Sequence, residues 1–186
     1  MKRLLACAVV LFAMVLIPAI ALSSTIPILE VVSPVPGSFT YLTDFAQANF
    51  SAVGDVTANL QFVAGIGQAS DFAGFTPGNI ALIERGSITF VLKTQNAYAA
   101  GATGVIIFNN VAGLTILGGD DPTNTLPVMG TTMAAGNYLQ SLLGSGLVAV
   151  HMKTVPEPST LLLLGSGLVV LVGYGRKRMM KEHYRT

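Results

Sequence analysis

The chain has 186 residues, of which 52% are hydrophobic and only 10% charged, with a formal net charge of +1. The charges are segregated: between residues 22 and 153 stand three basic residues (Arg85, Lys93 and Lys153) and seven acidic ones, a balance of −4, while the positive excess lies at the two ends. A middle without a basic stripe excludes nucleic acid as an expected partner, and the single cysteine, Cys7, leaves that middle with neither a disulfide nor a thiol ligand.

At the N-terminus, Lys2-Arg3 precedes an apolar run over residues 4–17, a helix-breaking Pro18 and the small-x-small sequence Ala19-Ile20-Ala21. This is the pattern of a secretory signal peptide cut by signal peptidase after Ala21, so residues 1–21 are expected to be removed on export. Residues 22–70 contain Pro27, Pro34, Pro36 and Gly37 and read as an extended lead-in with short strands. Within them Phe62-Val63 and Ile66 suit strands of a β-rich layer.

Residues 71–153 carry the strongest pattern. Ile80-Ala81-Leu82-Ile83 is a continuous apolar run between Pro77-Gly78 and Arg85-Gly86, the mark of a buried strand. Thr89 is placed to cap a following helix, on which Phe90, Val91, Thr94, Ala97, Tyr98 and Gly101 share one side and Lys93, Gln95 and Asn96 the other, with Leu92 as the exception. Gly101 and Gly104 end that helix, and Val105-Ile106-Ile107-Phe108 is a second buried strand. A strand, a helix and a strand with short connections predict a βαβ unit with parallel strands. After a Gly/Asp/Asn/Pro-rich loop over 111–124, the pattern partly repeats. Leu126-Pro127-Val128-Met129 predicts a short strand. Thr131 or Thr132 caps a helix on Ala135, Tyr138, Leu139, Leu142 and Leu143, which Gly144 and Gly146 stop, and residues 147–150 predict a last strand.

Taken in order, Gly78-Asn79-Ile80-Ala81-Leu82-Ile83-Glu84-Arg85-Gly86, Phe90, Lys93, Asn96-Ala97, Ala99-Ala100-Gly101-Ala102, Gly104 through Asn110 and Leu126-Pro127-Val128 resemble the protease-associated (PA) domain. The match covers about residues 71–150. Where many PA domains carry a cysteine after the Arg-Gly turn this chain has Ser87-Ile88, so the disulfide of those relatives is not expected. The resemblance implies a mixed α/β fold, a β-sandwich or open barrel with two flanking helices. It also implies a non-catalytic role in binding ligands, covering peptidases or contacting other proteins.

The C-terminus, 154–186, begins with Pro156-Glu157-Pro158, continues with no charged residue from 159 to 175, and ends with Arg176-Lys177-Arg178 and a basic tail. As a helix, 17 residues rise about 25 Å, enough to cross a bilayer core of about 30 Å with snorkelling flanks. The basic tail (176–186) is expected to stay cytoplasmic and the folded part outside. The segment resembles the PEP-CTERM sorting signal, which implies recognition by an exosortase, processing of the membrane anchor, and residence at the cell surface or in the extracellular matrix.

Hydrolytic chemistry needs a nucleophile, a base and an orienting group within reach of one another. The middle offers one histidine, His151, expected at the end of the last strand, so no catalytic set, cofactor or metal site is expected. Asp120, Asp121 and Asn124 could offer oxygen ligands, but Asp-Asp-Pro is ordinary turn chemistry. Gly65-Ile66-Gly67 and Gly118-Gly119 lack the spacing of a phosphate loop and read as turns. Arg85 is the notable charge: it ends a buried strand just before a helix N-terminus, where it either grips a carboxylate or pairs with Glu84 or Asp71. With Gly86, Thr89, Asp120 and Asp121 it forms the expected contact surface. The partner is an extracellular peptide, a peptidase acting in trans, or exopolysaccharide; the alternative is a structural matrix protein without a specific ligand.

Overall fold

The structure, a computed structural model, describes residues 26–156 together with Gly167. The expected cleavage site (Ala19, Ala21), the remainder of the sorting signal (Glu157 and Pro158), the apolar segment 159–175 and the basic tail lie outside the described residues, apart from Gly167. Among the described residues, no helix is long and apolar enough to cross a membrane.

Eight strands form the fold: β1 (Ile28–Ser33), β2 (Gly37–Ser38), β3 (Phe45–Gln47), β4 (Gly54–Val63), β5 (Ile80–Glu84), β6 (Gly104–Phe108), β7 (Val128–Thr131) and β8 (Ala149–Thr154). Two helices, α1 (Phe90–Ala99) and α2 (Met133–Leu143), complete it. The strands make one sheet in the order β2-β1-β8-β4-β5-β6-β7-β3, curled into a half-barrel. The open-barrel expectation therefore holds in outline, and a sandwich of two sheets is replaced by a single curled one.

Burial explains the arrangement. β4, β5, β6 and β7 run parallel, and a parallel layer is stable when both faces are covered. Along β5, Ile80 and Leu82 enter one apolar cluster with Leu139 of α2, while Ala81 and Ile83 enter a second with Ala97 of α1. Every residue from Val105 to Ile107 is fully buried for the same reason. The other half of the sheet is antiparallel and one-sided. β8 alternates, with Val150, Met152 and Thr154 buried and His151 and Lys153 partly exposed.

The predicted βαβ unit is present as β5-α1-β6 with parallel strands. Thr89 caps α1 by accepting a hydrogen bond from Leu92 N at 3.2 Å, and Thr132 caps α2 through Ala135 N at 3.1 Å. Gly101 takes φ +83° just past α1, a left-handed conformation in which a side chain would be strained.

Three expectations need correction. The last strand lies further along, at Ala149–Thr154, and Leu147 is exposed before it. This sets His151 in mid-strand rather than at a strand end. On α1 the buried residues are Lys93, Thr94 and Ala97, whereas Tyr98, expected on the buried side, is exposed.

Candidate functional site

The parallel register ends with Glu84 opposite Phe108. The next residues along the two strands, Arg85 and Asn109, therefore stand side by side at the C-terminal edge of the sheet. Arg85 Nη1 donates to Asn109 Oδ1 at 3.1 Å, and Asn109, only 3% exposed, donates from Nδ2 to Gly113 O at 3.0 Å. Asn109 thus joins the Arg85 turn to the start of the 111–124 loop. Among the described residues no ion pair includes Arg85, so the expected pairing with Glu84 or Asp71 is not formed. The guanidinium is partly exposed, holds a neutral acceptor, and keeps further donors for a carboxylate.

The neighbouring turn is built around α1. Its polar side, Lys93, Gln95 and Asn96, is sewn to two loops. Lys93, wholly buried, donates from Nζ to Ile66 O and, at 2.9 Å, to Glu84 O. Burial pushes its ammonium below the usual lysine range, with Asp71 and Glu84 acting in the opposite direction. Asn96 Nδ2 donates to Gly67 O at 2.9 Å, and Gln95 Nε2 to Asp121 Oδ2 at 3.1 Å. The Gly65-Ile66-Gly67 segment is a turn, as expected, with both glycines at positive φ (+123° and +81°). Gly86 faces this turn: a Cβ there would come 2.4 Å from Ile66 Cγ2, so Gly86 serves close packing.

Asp121 forms a second locus. Its Oδ1 accepts from Thr123 Oγ1 at 2.7 Å and from Thr123 N at 3.1 Å. These bonds, the Thr123 hydroxyl first, hold its carboxyl below the usual aspartate range. Asp120 is exposed beside it. Two concavities flank this turn: one of about 280 Å³ includes Gln95, Tyr98, Asp121 and Thr125, and one of about 540 Å³ includes Asn49, Ser51, Asp120 and Asp121. The hydrogen bonds of Arg85 lead to Asn109 and those of Asp121 lead to Gln95 and Thr123; among the described residues none joins the two sets.

His151 was legible only as a lone histidine. It stands in the middle of the antiparallel strands, with Nδ1 2.8 Å from Glu30 Oε1 and Nε2 2.8 Å from Asp55 Oδ1. Lys153 Nζ reaches Asp55 Oδ2 at 3.2 Å. The two carboxylates raise the His151 pKa above its usual 6.5, and they lie on opposite ring nitrogens, so they do not converge on one point. Among the described residues no group of three His, Cys, Asp or Glu side chains is arranged to hold a metal ion.

An aminopeptidase of Pseudomonas aeruginosa is 44% identical over 86 residues, 41% of this chain and 16% of that protein. Leucine aminopeptidase 2 of Arthroderma otae is 38% identical over 119 residues, 62% of this chain and 24% of that protein. The chain thus spans a quarter or less of the length of these relatives. Among solved structures, an aminopeptidase from Aneurinibacillus sp. strain AM-1 superposes with a TM-score of 0.58 at 31% identity, covering 69% of this chain and 30% of that one. A zinc aminopeptidase from Bacillus subtilis gives 0.56 at 30% identity, covering 69% and 31%. Residues 154–178 match the PEP-CTERM protein-sorting motif. Residues 31–139, more than half of the chain, match the PA domain, and the chain belongs to that family.

Proposed function

We propose that this PA domain is a non-catalytic, extracytoplasmic module that binds peptides through a carboxylate, and that an exosortase sorts and trims the exported chain at its PEP-CTERM motif. The observation that carries the binding role is Arg85. Its guanidinium stands at the C-terminal edge of the parallel strands without an ion pair among the described residues, positioned by Asn109. Ligands of open α/β sheets gather at that edge. Both the PA match and the sorting-motif match support an exported protein. The apolar segment 159–175 inserts in the membrane until processing removes it.

The non-catalytic role draws support from His151, the one histidine among the described residues. Both its nitrogens face carboxylates, which leaves neither free to act as a base on a nucleophile. A second reading, an accessory partner of a peptidase acting in trans, draws on the relatives, whose names are those of aminopeptidases and of an extracellular protease.

The test offers the exported domain, starting at Leu22 and ending at Pro156, a set of peptides with free C-terminal carboxylates and the same peptides amidated. Retention of the acids, loss of the amides and recovery of intact peptides by mass spectrometry are expected. Equal retention of acids and amides would refute carboxylate recognition, and shortened peptides would refute the non-catalytic role.

A further inference from the structure

The sorting motif follows the folded domain without a spacer. Its matched region starts at Thr154, which is the last residue of β8 and only 1% exposed. The Thr154 hydroxyl donates to Ala52 O at 2.6 Å and accepts from Gly54 N at 2.9 Å. Val155 is gripped on both sides of its peptide unit by one side chain: Val155 N donates to Gln47 Oε1 at 2.9 Å, and Gln47 Nε2 donates to Val155 O at 2.8 Å. Order in the domain therefore runs up to the residue before Pro156.

Residues 159–175 carry no charge. Four peptide steps from Val155 to residue 159 span about 14 Å at full extension. A domain fixed at Val155 cannot stand further than that from the start of a membrane-inserted segment. The end of the sheet from which the chain leaves exposes three aliphatic side chains beside the Asp55–Lys153 pair. Ile28 is opposite Lys153, and Val53 precedes Gly54, which is opposite Thr154. Val53 is 61% exposed, Ile26 57% and Ile28 37%. Lys153 at the same end is paired with Asp55 at 3.2 Å, so its charge is already balanced within the protein.

We infer that this rim, formed by Ile26, Ile28 and Val53 around the Gln47–Val155 clamp, is a membrane-contact surface, and that the unprocessed protein sits with it against the lipid headgroups. The inference rests on the proposed insertion of residues 159–175. The opposite end of β8 then points away from the bilayer. Leu147, exposed two residues before β8, lies on the order of 20 Å from the rim at about 3.3 Å per residue.

The test uses the exported chain, residues 22–186, which has no native cysteine, reconstituted in phosphatidylcholine–phosphatidylglycerol vesicles that contain headgroup spin-labelled lipid. A fluorophore is placed at Val53→Cys or Leu147→Cys, both exposed positions. Flotation with the vesicles, with quenching several-fold stronger at position 53 than at 147, is the expected result. Flotation with equal quenching, or stronger quenching at 147, would overturn the membrane-contact surface and leave the anchor standing. Failure to float would overturn the anchor and the surface together.

Discussion

Glu30 Oε1 stands 2.8 Å from His151 Nδ1 across the β1–β8 pair, where the two residues are direct partners in the register. Asp55 of β4 takes the other ring nitrogen at the same distance, so one imidazole ties three adjacent strands. Only the protonated ring donates from both nitrogens.

The clamp makes stability depend on pH. The folded pKa of His151 is raised above 6.5, by Glu30 first and then Asp55. Its contribution is therefore full below about 6.5, the unfolded value, and is lost as pH rises through the raised folded value. Asp55 is held below its usual 3.8, chiefly by His151 and then Lys153, so its contribution is present above that value and fades as pH falls through the lowered one. Melting temperatures of the wild type and of His151→Ala should differ most near pH 5 and converge in mildly alkaline buffer. A gap that stays constant from pH 5 to pH 9 would show that the histidine acts by packing alone.

Lys93→Met keeps the stem and deletes the ammonium. The carbonyls of Ile66 and Glu84 then lose their donor. A buried polar group left unsatisfied costs about 1–3 kcal/mol, so the variant should unfold at clearly lower denaturant concentration with an unchanged slope. Equal or greater stability would mean that the cost of burying the charge outweighs the two bonds.

Gly136→Ala tests how α2 lies on the sheet. A Cβ at that position would come 2.3 Å from Cβ and Cγ of Phe108, the buried last residue of β6. Better helix propensity favours alanine by about 1 kcal/mol, but the overlap forces α2 off β6, and overpacking costs about 1–3 kcal/mol or more. A net loss of stability in chemical denaturation is expected; a gain would show that the helix has room to shift.

The legible part of the fold was the part whose sequence has one explanation. The run Ile80-Ala81-Leu82-Ile83, the Thr89 cap and the run ending at Phe108 satisfy a two-sided parallel layer and little else. β4 was missed over most of its length because Val56 and Ala58 are only half-buried between exposed Asp55, Thr57 and Asn59. The true limits of β8 were present as alternation from Val150 to Thr154, but the alternation carries His151 and Lys153, which suggested a linker. Lys93 was misplaced because an ammonium is expected in water; its carbonyl partners come from Ile66 and Glu84, 27 and 9 residues away. Of the site, Arg85 was legible from its place between a strand and a helix. Its partner Asn109 was legible only as the end of a buried strand, because its bonds to Arg85 and to Gly113 O come from tertiary packing that the sequence does not display.

The central claim, binding through Arg85 without hydrolysis, is tested most directly by comparing wild type and Arg85→Ala with one carboxylate-bearing peptide ligand. Affinity, peptide integrity and melting temperature are measured on the same samples. A lost charge-assisted contact costs about 1.5–3 kcal/mol, which is about tenfold to a hundredfold in Kd. The account predicts that loss, with an intact peptide and nearly the same melting temperature. Unchanged affinity in Arg85→Ala, or cleavage of the peptide by the wild-type domain, would contradict it.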